Sequence, residues 1–322
     1  MTDAGAMPLQ DHEVSTETFL DDVIDGLSRS PRWLPSKYLY DAAGSKLFDQ
    51  ICELDEYYLT RTEISILEKH GADIARRIGA NALVAELGSG SSLKTRLLLD
   101  RLESPAAYVP IDISREHLLE SARTLQDAYP NIPVLPVCAD YMADFDLPAP
   151  EHTPSHAVVY FPGSTIGNLE PDEAVGLLKR MAKITGEKGG MVIGVDLRKN
   201  KAVLEAAYDD SSGVTARFTM NYPTRMNREL GADFDLAQWK HRAVYNEDLG
   251  RIEIGLQSLK TQTVTIGDHA FDFEGGELIR TEHSYKFSLE GFADVASRAD
   301  WDVLQVWTDA RKLFSVQYLE TR

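Results

Sequence analysis

Apolar residues along the chain change period several times, and each change marks an element. Phe19, Leu20, Val23, Ile24 and Leu27 recur at intervals of three and four, which predicts an amphipathic helix. Ile64, Leu67, Ile74 and Ile78 repeat that spacing, with Thr60 and Glu63 at the separation of a capping box. Short, largely apolar runs follow at 83–87, 106–113, 132–139, 156–161 and 190–197. Runs of that length predict strands buried on both faces, and their alternation with helical stretches predicts right-handed crossovers and a parallel sheet.

The rhythm breaks after Leu197. A helical stretch through Leu204 and Tyr208 leads to strand-like runs at 252–256 and 263–266, a Gly267-Asp268 turn, a run ending near Gly275-Gly276, and a last run at 282–287. This predicts an inserted α+β lobe. A helix through Leu289, Phe292, Val295 and Ala296 and strands at 301–307 and 314–319 then return to the sheet. The expected fold is α/β, a doubly wound seven-stranded sheet. The expected organisation is a flexible N-terminus over 1–14, a helical segment over 15–60 that joins the lobe, a core of 61–197 with 287–322, and the lobe at 198–286.

Composition narrows the partners. The chain has 322 residues, 33 Lys and Arg against 51 Asp and Glu, and a net charge of −18. Nucleic-acid binding depends on basic residues displacing counterions, so a small-molecule partner is expected instead. The two cysteines, Cys52 and Cys138, have neither metal-ligand nor disulfide-framework spacing. No metal is expected. Without an apolar run of about 18 residues or a basic-then-apolar leader, the protein is expected to be soluble and cytoplasmic, with a monomer favoured.

The candidate chemistry gathers where strands end. After the run 83–87 come Gly88 and Gly90, which permit positive φ and close approach of a ligand to the backbone. A dinucleotide fingerprint needs a third glycine where Leu93 stands, which disfavours an NAD-linked oxidoreductase. Asp112 closes the next strand 24 positions after Gly88, a separation suited to accepting hydrogen bonds from a ribose. Asp140 closes the third strand, with Tyr141 beside it, and Asn168 ends a small-residue loop after the fourth. Glu86 turns the glycine turn into E-x-G-x-G, a pattern similar to that of S-adenosylmethionine-dependent methyltransferases. Tyrosines cluster before the sheet, at 38, 40, 57 and 58, where they can line a site or pack an interface with wet hydroxyls.

Four longer motifs carry a more specific resemblance: Leu87–Ser91 with Lys94–Arg96, Gly163–Leu169, Glu56–Tyr58 with Thr60–Glu63, and Asn227–Leu230 with Ala232–Leu236. Together they resemble the histidine Nα-methyltransferase family of ergothioneine biosynthesis, over nearly the whole chain from about Leu34. The resemblance implies three methyl transfers from S-adenosylmethionine to the α-amino group of L-histidine, giving hercynine. It implies that Gly88, Lys94, Asp112, Asp140 and Tyr141 contact the cofactor. It implies further that Asn168 and Tyr208 clamp the substrate carboxylate, that Tyr57, Glu282 and Ser284 surround the imidazole, and that Tyr40 lies near the amino group. Tyr40 and Asn168 are thus the residues expected closest to the chemistry. Two positions depart from the pattern: Leu59 replaces a proline, and Ile254 stands where a family member carries methionine.

A sulfonium methyl is already activated, so the residues need to orient a neutral amine in line with it rather than supply a metal or a nucleophile. The alternatives are a related methyltransferase acting on tryptophan, prenylated tryptophan or tyrosine, and a ligand-binding protein without catalysis. Glu282 with Ser284 favours imidazole, because both can pair with ring nitrogens. The alternative is that the same two residues are alternate polar positions on an exposed strand.

Overall fold

A computed structural model of the chain describes residues 9–12, 16–90 and 93–322. The chain forms two compact units. One comprises Leu59–Arg198 and Phe287–Arg322 with the described residues of Met1–Glu13; the other comprises Val14–Tyr58 and Lys199–Lys286.

The first unit is built on one sheet: β1 (Gln10–Asp11), β2 (Ala82–Leu87), β3 (Ala107–Asp112), β4 (Val137–Cys138), β5 (His156–Phe161), β6 (Gly190–Asp196), β12 (Trp301–Thr308) and β13 (Phe314–Thr321). Their order is β1-β4-β3-β2-β5-β6-β13-β12. Pairing is parallel from β1 to β6, and β13 enters antiparallel between β6 and β12. Every residue of β2 and of β6 is buried, as continuous apolar runs require when helices cover both faces. The chain steps from β2 to β3 and β4 on one side, then returns to β5 on the other. The switch point therefore lies at β2 and β5, where an open α/β sheet receives its ligand.

Two expectations need correction here. Seven strands are present as expected, but an eighth, β1, is added at the edge: Gln10 and Asp11 pair with Val137 and Cys138, and Asp11 holds Arg115 at 2.7 Å. These residues fall inside the stretch 1–14 expected to be flexible; the rest of that stretch, except Leu9 and His12, lies outside the described residues. The third apolar run is also mostly not strand. It contributes only β4 and an isolated bridge from Val134 to Tyr108, since its prolines at 133 and 136 lack the N–H that a ladder needs.

The second unit has a three-stranded antiparallel sheet, β11-β8-β7, of β7 (Trp239–Asn246), β8 (Arg251–Ser258) and β11 (Leu278–Tyr285), plus a hairpin of β9 (Gln262–Ile266) and β10 (His269–Phe273). Its helices are Thr16–Ser28, Ala42–Glu53, Lys201–Tyr208 and Val214–Glu229. The last was not foreseen, nor was β7. Pro223 lies inside that helix and reads as a breaker, yet Val214, Phe218, Tyr222 and Met226 still bury one face at helical spacing. Among the described residues no helix is long and apolar enough to cross a membrane.

Candidate active site

In the first unit the chain turns sharply at the end of β2. Gly88 has φ +66° and Gly90 φ +43°, and a Cβ on Gly88 would meet nothing within 4 Å among the described residues. The N–H groups of Gly88 and Ser89 donate to the Ile111 carbonyl at 2.8 and 3.3 Å, which ties the turn to the end of β3. Asp112 follows at once. Its carboxylate accepts from Ser114 N at 2.9 Å and Gly90 N at 3.4 Å, while desolvation raises its pKa above the usual value. Additional donors such as a ribose diol would relieve that desolvation. The Ser89 hydroxyl is buried and has no hydrogen-bond partner among the described residues. A glycine turn, a desolvated carboxylate and a hydroxyl without a partner among the described residues fit a polar nucleoside cofactor. Ser91 and Ser92, part of the same motif, lie outside the described residues.

Next along the sheet end, Asp140 accepts from Met142 N at 2.8 Å, and Tyr141 packs edge-on against Phe161 with centroids 5.7 Å apart. Asn168 ends the short helix Thr165–Asn168 after β5. Ser164, in the left-handed region at φ +60°, ties that loop to β6 by accepting Asp196 N at 2.9 Å.

Two buried acids of this unit do work that the sequence reading did not assign. The helix Tyr58–Ile78 already includes Thr60, so the expected capping box at Thr60 and Glu63 is wrong. Glu63 is fully buried and instead accepts Lys94 Nζ at 2.8 Å and Gly163 N at 2.9 Å. It joins the helix after the glycine turn to the loop after β5, and it gives Lys94, an expected cofactor contact, a protein partner. Glu86 accepts from Thr95 Oγ1 at 2.7 Å and Tyr108 OH at 2.8 Å. Burial, opposed by these two donors, pushes its pKa up to about 7.

The second unit gathers tyrosines and one strand. Tyr40 packs edge-on against Phe48 and Phe218, Phe48 against Tyr57, and Tyr57 against Tyr208, with centroids 5.3 to 6.2 Å apart. Burial first, then Tyr208, Cys52, Tyr40 and Glu282, raises the Tyr57 pKa well above its ordinary value, so that hydroxyl keeps its proton. Glu282 and Ser284 lie two apart on β11 and are 9% and 2% exposed, so the surface-strand reading fails. Ile254 on β8 pairs directly with Glu282, which makes them cross-strand neighbours on one face.

Ser284 Oγ and Tyr208 OH are 2.8 Å apart. Lys286 Nζ donates to both, at 2.7 and 2.8 Å, and is itself buried. This lysine was missed. The signal was present in the alternation Glu282, Ser284, Lys286, which puts three polar groups on one face of an extended segment. His241 braces the arrangement from behind, bridging the Tyr208 carbonyl at 2.8 Å and Thr219 Oγ1 at 2.9 Å, with its pKa lowered by burial.

Comparison of the sequence with known proteins identifies the family. A family model described as histidine-specific methyltransferase, SAM-dependent, matches residues 19–321. The histidine N-alpha-methyltransferase of Mycolicibacterium smegmatis is 40% identical over 300 residues, covering 92% of each chain. That of Mycobacterium tuberculosis is 39% identical over 294 residues, covering 89% of this chain and 90% of its own. Ergothioneine biosynthesis protein 1 of Neurospora crassa is 33% identical over 287 residues, 86% of this chain but 32% of that protein. The chain belongs to the family of S-adenosylmethionine-dependent, histidine-specific methyltransferases.

Proposed function

We propose that the enzyme transfers three methyl groups from S-adenosylmethionine to the α-amino group of L-histidine, forming hercynine in ergothioneine biosynthesis. The family match over residues 19–321 carries this reading. In it, the unit containing the glycine turn binds the cofactor through Gly88, Lys94, Asp112, Asp140 and Tyr141. S-adenosylmethionine supplies the activated methyl group. The unit containing β11 receives the amino acid through Tyr57, Tyr208, Glu282 and Ser284, with Tyr40 near the amine.

What the protein residues do is mostly positioning. Attack on a sulfonium methyl needs a neutral amine in line with the carbon–sulfur bond, and holding that geometry is worth up to roughly 7–11 kcal/mol in favourable systems. The buried carboxylate of Glu282 can accept an imidazole N–H, and the Ser284 hydroxyl can donate or accept as the ring requires. The aromatic walls of Tyr40, Tyr57 and Tyr208 suit positive charge as it passes from sulfur to nitrogen.

Purified enzyme incubated with S-adenosylmethionine and an equimolar mixture of the twenty amino acids provides the test. Mass spectrometry should find mono-, di- and trimethylated histidine and no other methylated product of comparable abundance. Preferential methylation of tryptophan or tyrosine would overturn the substrate assignment.

A further inference from the structure

We propose that Asn221 is a positioning residue for Tyr40, acting on the chain on both sides of it. The inference rests on the reading that Tyr40 lies near the amine. Tyr40 stands between the short helix Ser36–Leu39 and the helix Ala42–Glu53, with φ −98° and ψ 45°. Those angles belong to neither helix nor strand, so the direction of its side chain depends on what holds its neighbours.

The helix Val214–Glu229 supplies the holding groups. Phe218, Asn221, Arg225 and Arg228, spaced three, four and three apart, share one face. Phe218 packs edge-on against the Tyr40 ring, and Arg225 donates to the Tyr38 carbonyl at 3.0 Å. Asn221 Nδ2 lies 2.8 Å from Asp41 Oδ1 and 3.4 Å from the Leu39 carbonyl oxygen, so one amide group brackets Tyr40 from before and behind. Both partners are acceptors, which requires the NH2 end of the amide, with its two donors, to face them. Asp41 completes the bracket. The same Oδ1 accepts Gly44 N at 2.8 Å as the cap of Ala42–Glu53, and Oδ2 accepts Arg228 at 2.6 Å. A Cβ on Gly44 would lie 1.7 Å from the Leu39 oxygen, so this turn closes only over a glycine. Arg228 is half exposed, and water screens its pair with Asp41; Asn221 is buried, so its bonds are the ones whose loss is felt.

Methyl transfer needs the amine in line with the carbon–sulfur bond, and a misplacement of about 1 Å can cost roughly 10²-fold in rate. Asn221→Leu keeps the size of the side chain and removes both donors. It should lower kcat for L-histidine about tenfold or more, with KM changed less than about threefold and S-adenosylhomocysteine affinity, measured by calorimetry, within about twofold. In the Tyr40→Phe background the leucine substitution should add little, because both act through the same hydroxyl. A packing role alone would instead lower the melting temperature, leave kcat unmoved well below it, and combine independently with Tyr40→Phe. A folded Asn221→Leu enzyme with unchanged kcat, or independent effects in the pair, overturns the proposal. If the leucine variant does not fold, Asp41→Ala breaks the same bond from its other end and carries the same test. An unchanged kcat in Tyr40→Phe removes Tyr40 from the amine and the proposal with it, whereas an impaired Tyr40→Phe beside a normal Asn221→Leu overturns the proposal alone. If the wild type methylates a different amino acid, the substrate reading falls separately, and the same comparison is made with that amino acid.

Discussion

Asp112 and Ser284 both lie at the C-terminal end of a strand, yet the two units hold them differently. Asp112 is held by backbone N–H groups from residues close by in sequence, Ser114 and Gly90, and the turn beside it depends on two glycines with positive φ. Ser284 is held by side chains, Tyr208 from 76 positions earlier and Lys286 from two later. A backbone-built site tolerates many side chains around it but demands a particular main-chain path. A side-chain-built site depends on each member, since removing one leaves buried polar groups unsatisfied.

That contrast is sharpest in substrate choice. If the buried Glu282 accepts the imidazole N–H as proposed, phenylalanine or tryptophan in place of histidine would forfeit that hydrogen bond, and sites built to hydrogen-bond a substrate reject such analogues by roughly 10⁴-fold. Glu282→Ala should impair histidine turnover and collapse most of that gap, since the buried Ile254 pairs with that position across the strands. The ratio of kcat/KM for histidine and tryptophan in the two enzymes is the measurement. An unmoved ratio would place the selectivity elsewhere.

A second way to separate the units uses pH. Glu86 titrates near 7 in the folded first unit against about 4.5 for an ordinary glutamate. Its folded form holds the proton more tightly, so the stability it contributes is fully present below about pH 4.5 and is lost as pH rises through 7. The total is about 3 kcal/mol. Glu86→Gln can still accept from Thr95 and Tyr108, and it should flatten that slope. Denaturant unfolding of both proteins at pH 5 and pH 8 checks this: the glutamine variant should gain on the wild type at the higher pH.

The smallest expected effect is at the cofactor. Asp112→Ala should weaken S-adenosylmethionine and S-adenosylhomocysteine together by about 1–3 kcal/mol, the value of a hydrogen bond to a charged acceptor. Titration calorimetry with S-adenosylhomocysteine reads it directly. Equal affinity in both proteins would remove Asp112 from the ribose and leave it as a local brace for Ser114 and Gly90.

Periodicity and glycine placement by themselves determined most of the first unit. The fully buried runs of β2 and β6, the largely buried runs of β3 and β5, the turn at Gly88 and Gly90, and the acid at Asp112 are all consequences of neighbours in sequence, because strand burial and left-handed turns are local requirements. The longer motifs added the family. What sequence order could not decide was which distant groups meet. Glu63 had the spacing of a helix cap and became instead the buried partner of Lys94 and Gly163, 31 and 100 positions away. Pro223 sits inside a helix because the buried face around it outweighs one lost hydrogen bond. Lys286 carried a charge expected at a surface, and only tertiary structure withdraws it from water and gives it Tyr208 and Ser284 as partners. Burying a charge is tolerable where partners converge, and convergence of residues remote in sequence is a property of the folded chain.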